Sequence, residues 1–556
     1  MSWRGLHVNT CAPLLGCRVG PGPHPGLGLG FPTFLLTRSA LVSDTGDPEV
    51  DTNYYDVVVC GPELAGLIAA SLLGRRGLRV LLCGHDGMPT TFQAGPYLLS
   101  REPGTLPPPD SEPVARVLRE MGHAQIVRRR APQAQPSLQF VFPQKRVEFS
   151  STLEAVMADL AREFPVDHAT IEPILGRLRT TSAILDPLLG SDMTLPPQGF
   201  WERRDVSRIQ AQLPPPETDL LAPLGPHHPI RAAIAALGAL SSGFSPADIG
   251  SLVQARAYDV ARRGFHRLGT EADLRSLFLD KLGTFSGEVR EQVVPTELVW
   301  RRGNLNGLRV RPRNETIGFG RLLWAGSAHS LLALASSEAP RRLREIAASI
   351  RPACFRYTLC MLLRPEGLPV GMGPRVVVVK DPAKPNIEEN AFSITVGLPA
   401  PRHPNQVPVW VECLVSASAS ESLGYLSVVR ARLREELMRV MPFHDRHLHV
   451  IASPHDGLAP ELGPAARGEP GQRGRLPGVP PTAMAPALNY DTERMLGLGG
   501  ASHTSGLKNV YLVSGENLPG LGREGHFVSA WGVARMIAEP TQHKAVRRRE
   551  ILIEEI

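Results

Sequence analysis

Apolar residues along this chain change their period several times, and each change predicts an element. Tyr55-Asp-Val-Val-Val-Cys60 is a short apolar run of the kind buried in a parallel sheet. Gly61-Pro-Glu-Leu-Ala-Gly66 follows as a tight turn. Leu67–Gly74 carries small and apolar residues at helical spacing, and Arg75-Arg-Gly77 ends the helix with cations and a glycine. Leu78-Arg-Val-Leu-Leu-Cys83 is a second strand. Together these segments form one βαβ unit, the opening of a dinucleotide-binding layer.

Past this unit, Gly84–Pro109 reads as loop, and Ser111–Gly122 as a helix with a serine cap and a glycine stop. Gln139–Pro143 and Arg146–Phe149 are strand-like, and Ser151–Phe164 and His168–Leu189 have helical periodicity. Gln198–Pro229 is a proline-rich connection. Ile230–Leu240 is helical, too short to span a membrane, and no other stretch qualifies. A helix over Thr270–Gly283 leads to strands at Gly287–Arg290, Thr296–Arg301, Leu308–Arg311 and Arg321–Ala325. Phe355–Leu363, Arg375–Lys380, Phe392–Leu398 and Val409–Val415 predict a sheet floor. Leu426–Met441 predicts a helix followed by a surface strand, and Gly457–Pro486 a mobile loop. Near the end, the apolar strand from Asn509 stops at Gly515-Glu516. A Pro519-Gly520 loop follows, and a helix is expected over Phe527–Ala538.

Composition narrows the function classes. The chain has 556 residues, 42% hydrophobic and 21% charged, ordinary for a globular protein, with a formal charge of +6. Its arginine clusters are dispersed and lack aromatic interleaving, which argues against nucleic acid and leaves a peripheral contact with anionic lipid open. The seven cysteines include no Cys-x-x-Cys pair, which points to a reducing, cytoplasmic setting. His227-His228 and His444–His449 lack ligand partners at useful spacing, so no metal site is expected. Residues 1–52 are poor in acids and rich in Gly and Pro. They are expected to be a disordered leader, or the result of an early start, rather than a targeting signal.

The turn at Gly61–Gly66 and the closing Gly515-Glu516 stretch resemble the two cofactor motifs of FAD-dependent oxidoreductases of the phytoene desaturase and flavin amine oxidase superfamily. The resemblance implies an α/β fold: an FAD-type Rossmann domain from 53–150, 260–345 and 500–545, and a discontinuous α+β substrate domain from 151–259 and 346–499. It implies FAD contacts by Gly61, Pro62, Glu63, Leu64, Ala65 and Gly66 in the turn. It adds Gly84 after the second strand, Val294 on the adenine side, and Gly515, Glu516, Gly525, His526 and Phe527 in the closing motif. It identifies no catalytic acid or base.

Two departures bear on the cofactor. Glu63 stands where the fingerprint has its middle glycine, and Gly84 where an acid holds the ribose, with Asp86 two residues late. The expected activity is therefore oxidation of an apolar, isoprenoid or lipid substrate with weakly held FAD. The alternative is a non-catalytic binding protein of the same fold, as the Rab GDP-dissociation inhibitors are.

Overall fold

The computed structural model describes residues 54–538 except 134, 151, 302–303, 467–475 and 492–494. The expected leader lies outside the described residues. β1 (Tyr54–Cys60) runs parallel to Glu315–Trp324 on one side and to β2 (Val80–Cys83) on the other. Glu288–Arg290 extends the parallel sheet beyond β2, and Val510–Leu512 extends it beyond Glu315–Trp324. The hairpin Val294–Arg301/Asn304–Arg311 completes seven strands by antiparallel pairing. The parallel α/β layer is thus drawn from both ends of the chain.

From Val57 to Cys60 β1 is buried on both faces, which explains the unbroken apolar run there. Val57 and Val59 meet α1 (Leu64–Arg75) and the helices Glu271–Thr284 and Arg523–Ile537. Val58 and Cys60 face the opposite core, with Phe319, Leu498 and Leu518. α1 is apolar all round because its residues from Leu64 to Gly74 are all buried.

The second sheet has nine strands built around Ile350–Leu363, which pairs with Val407–Ser416, Leu448–Ala452 and Ala485–Tyr490. Helix Leu423–Val440 covers one face. Helices Leu153–Glu163, His168–Ala183, Pro229–Ser241 and Ser251–Arg263 cover the other.

Several expectations are corrected. Leu138–Val141 and Arg146–Phe149 belong to the second sheet, through the parallel pairing of Leu138–Val141 with Arg375–Val379, so the first-layer segment ends before them. Gly84–Pro109 is not plain loop. It holds the hairpin Thr91–Ala94/Tyr97–Ser100 and the strand Pro103–Leu106, which pairs with His266–Thr270. The proline-rich connection contains the helix Phe200–Gln210. The strand after Leu423–Val440 is fully buried rather than superficial, with His449 inside it. Of Gly457–Pro486, residues 467–475 lie outside the described residues; the remainder includes a strand at Glu461–Leu462, and Ala485–Pro486 opens the strand Ala485–Tyr490.

Candidate functional site

The Gly61–Gly66 turn leaves β1 at its carboxyl end, where open parallel sheets bind their ligands. It is shaped by contact with the neighbouring strand. A Cβ on Gly61, where φ is +130°, would overlap the carbonyl of Ala325, and one on Gly66 would overlap the Ala325 methyl. The Glu63 N–H donates to the Ala325 carbonyl (3.1 Å), pinning the start of α1 to the end of the adjacent strand. Leu64 and Ala65 open the helix and are buried in the core. Gly61 and Gly66 therefore meet the steric demands of the outer glycines of the fingerprint.

Glu63 caps α1 by position but makes no side-chain cap bond. Its carboxyl reaches the closing motif instead. Oε2 lies 3.9 Å from His526 Nδ1 and the same distance from where a Cβ on Gly515 would stand. The side chain keeps 39% of its surface exposed, so the carboxyl reaches solvent. Loss of bulk water raises its pKa, Arg275 opposes this, and Glu102 adds to it.

Glu516 is engaged by a neighbouring helix. Its Oε2 accepts from the Ala328 N–H (2.8 Å), at the start of the helix Ala328–Ala335. Burial lifts its pKa to about 7; the Ala328 bond pulls it down and the Glu63 charge pushes it up. His526 is held neutral, with a pKa lowered to about 4 by burial, by Arg523 and by Arg275, against the pull of Glu102. Its Nδ1 is buried without a hydrogen-bond partner.

The closing helix spans Arg523–Ile537, four residues earlier than its apolar pattern indicates. Gly525 and His526 are thus first-turn helical residues rather than loop. A Cβ on Gly525 would overlap the Leu518 carbonyl, so this glycine lets the helix pack onto its own approach. Phe527 is buried, in edge contact with Phe278.

Two further implied positions are placed apart from this cluster. Val294 is 59% exposed, whereas its neighbour Val293 is buried, its carbonyl 3.4 Å from where a Cβ on Gly84 would stand. Gly84 itself is left-handed (φ +64°), a conformation an acidic residue adopts only with strain. Asp86 is engaged by the Gln292 N–H (2.6 Å).

Charged residues that motif reasoning missed complete the site. Arg275 donates to the Pro62 carbonyl (2.6 Å) and the His85 carbonyl (3.0 Å), strapping helix Glu271–Thr284 across the turn and the end of β2. Arg523 joins Glu271 (2.8 Å) to Glu102 (3.1 Å). Beside them Glu524 is buried in a two-pronged pair with Arg256 (2.7 and 2.8 Å) and accepts from Ser111. These residues come from remote segments and share no local spacing, so no sequence signal could have grouped them.

The donor set can be compared with the demands of a flavin dinucleotide. The N–H groups of the first turn of α1, the positive end of that helix and the unpartnered His526 Nδ1 suit an anionic, acceptor-rich group. Two carboxyls, Glu63 and Glu516, oppose it while ionised. Both pKa values are raised, so the residues fit the group in the protonated state of the site.

No protein-family model and no curated protein sequence matches the chain. Solved structures match its fold. An oxidoreductase from Methanosarcina mazei aligns over 86% of this chain and 99% of its own at 13% identity, with a TM-score of 0.55. A putrescine oxidase solved with bound putrescine aligns over 87% of this chain and 99% of its own at 14% identity, with a TM-score of 0.54. At such identities the likeness is one of fold. The chain shares the mixed α/β fold of these two structures, and they do not single out the phytoene desaturase branch.

Proposed function

We propose that this protein is a FAD-dependent oxidoreductase whose cofactor site is controlled by the protonation of its own carboxyls. The observation that carries this is the convergence of Glu63, Gly515 and His526, from opposite ends of the chain, at the carboxyl edge of the parallel sheet. Bound there, FAD would supply the hydride acceptor, chemistry that side chains lack.

The chain's own residues then have separable tasks. The α1 N-terminus offers N–H groups to the diphosphate, and the Gly61 turn holds that helix in place. Arg275 fixes the turn against β2 and supplies positive charge beside Glu63. Glu63 and Glu516 weaken anion binding while ionised and cease to do so when protonated. His526 remains neutral, with one ring nitrogen protonated and the other free to accept.

The test is retention of flavin. Protein mixed with FAD is passed through gel filtration at pH 6 and pH 8, and its visible absorption is read. More flavin should be carried at pH 6. Failure of both wild type and Glu63→Gly to retain flavin at either pH would sink the proposal.

A further inference from the structure

A second cavity of about 390 Å³ lies away from the dinucleotide recess, between helices Leu153–Glu163, His168–Ala183 and Ser251–Arg263. That volume falls in the range of small-molecule sites. Leu153, Val156 and Leu175 supply apolar wall. The polar groups are Tyr258, Arg179 and Arg262, with exposed Glu172 at the rim.

These polar groups are poorly satisfied by the protein. Tyr258 is 2% exposed, packs edge-on against Phe149, and its hydroxyl has no hydrogen-bond partner among the described residues. The hydroxyl is not sealed from solvent, so water or a ligand in the cavity completes its bond. Arg262 spends one end of its guanidinium on Asp259 (3.1 Å), while its Nε is buried without a partner. Arg179 has no ion-pair partner among the described residues. Burial raises the Tyr258 pKa, and Arg262 and Arg179 are the two charges that pull it back, so both cations act on the hydroxyl. Gly176 lies mid-helix on the same wall, and a Cβ there would meet nothing within 4 Å.

We propose that this cavity binds a small amphipathic monocarboxylate of the medium-chain fatty acid class. The aliphatic tail lies against Leu153, Val156 and Leu175. The carboxylate accepts from the Tyr258 hydroxyl and is neutralised by Arg179 and Arg262. A neutral alcohol would leave Arg179 without a counter-charge, and an amine would be repelled by it.

Isothermal titration of the full chain tests this, with sodium octanoate as probe and n-octanol and octylamine as comparators. Octanoate should bind, octanol about tenfold more weakly or worse, and octylamine not detectably. Tyr258→Phe keeps the ring packing, Arg179→Gln removes one charge, and each should weaken octanoate about tenfold. Gly176→Leu fills the open space at a helical position where glycine is unfavourable, so it should abolish binding without lowering the thermal midpoint. Undetectable octanoate binding, equal affinity for octanoate and octanol, or unchanged affinity in a folded Gly176→Leu protein would each overturn the proposal.

Discussion

Glu63 shows how much one residue can alter in a site whose scaffold is otherwise intact. Its backbone does what the fold requires, starting α1 and bonding to Ala325, while its side chain brings a carboxyl to the place a diphosphate would approach. Removing that charge should tighten FAD. Glu63→Gly is expected to gain roughly tenfold in affinity or more, tenfold being about 1.4 kcal/mol, measured by isothermal titration at pH 8. An unchanged affinity would mean the carboxyl does not face the cofactor. Glu516→Gln should flatten the pH dependence of FAD binding near neutrality, because the group that titrates at about 7 is gone while an acceptor for the Ala328 N–H is kept. A persistent step near pH 7 would assign it to another residue. Restoring an acid at Gly84 is not expected to help, since its φ of +64° would strain the new residue.

At the scale of elements, the ends of three helices are tied together by charge. Ser111 precedes the helix Glu112–Met121, yet its hydroxyl serves Glu524 instead of a cap bond. Glu524 pairs with Arg256, which also holds Asp186 at 2.8 Å. Glu524→Ala removes the buried partner of Arg256 and leaves it only the half-exposed Asp186, so it should cost about 3 kcal/mol in denaturant unfolding. A loss below about 1 kcal/mol would put the pair in the class of solvated bridges. The capping box at Thr270 and Asp273 begins the helix that carries Arg275. Thr270→Ala should cost about 1 kcal/mol and loosen FAD through misplacement of Arg275. Equal FAD affinity in wild type and variant would separate the cap from the site.

For the whole molecule, the sign of the pH dependence follows from buried groups. His85, His123, His228, His455, His503 and His526 all have pKa values lowered first by burial, His455 and His526 to about 4. The unfolded chain binds protons at these sites below about pH 6.5 while the folded chain does not, so acidification removes stability. Glu63, Glu271 and Glu516 are raised and act with the opposite sign, because the folded chain holds their protons more strongly. With the imidazoles in the majority, the thermal midpoint should be several degrees lower at pH 5 than at pH 7. A rise on acidification would show that the carboxyls dominate.

The parallel layer and its two motifs can be read from the chain alone. A doubly buried strand must be apolar along its length, and the turn after it must admit close backbone contact, so β1, the Gly61 turn and α1 are legible in local pattern. The closing strand and helix carry the same kind of local signal, but the helix starts before its apolar pattern because its first turn holds ion-paired Arg523 and buried, ion-paired Glu524. Phe200–Gln210 was hidden for a related reason: it buries only Val206 and so shows little apolar period. Only the tertiary structure decided that Glu63 meets Gly515 and His526, that Arg275 straps the turn, and that Tyr258 faces a cavity with two arginines. Those contacts join residues up to several hundred positions apart. They are set by which elements pack against one another, and a local period records the buried face of an element but not its partner.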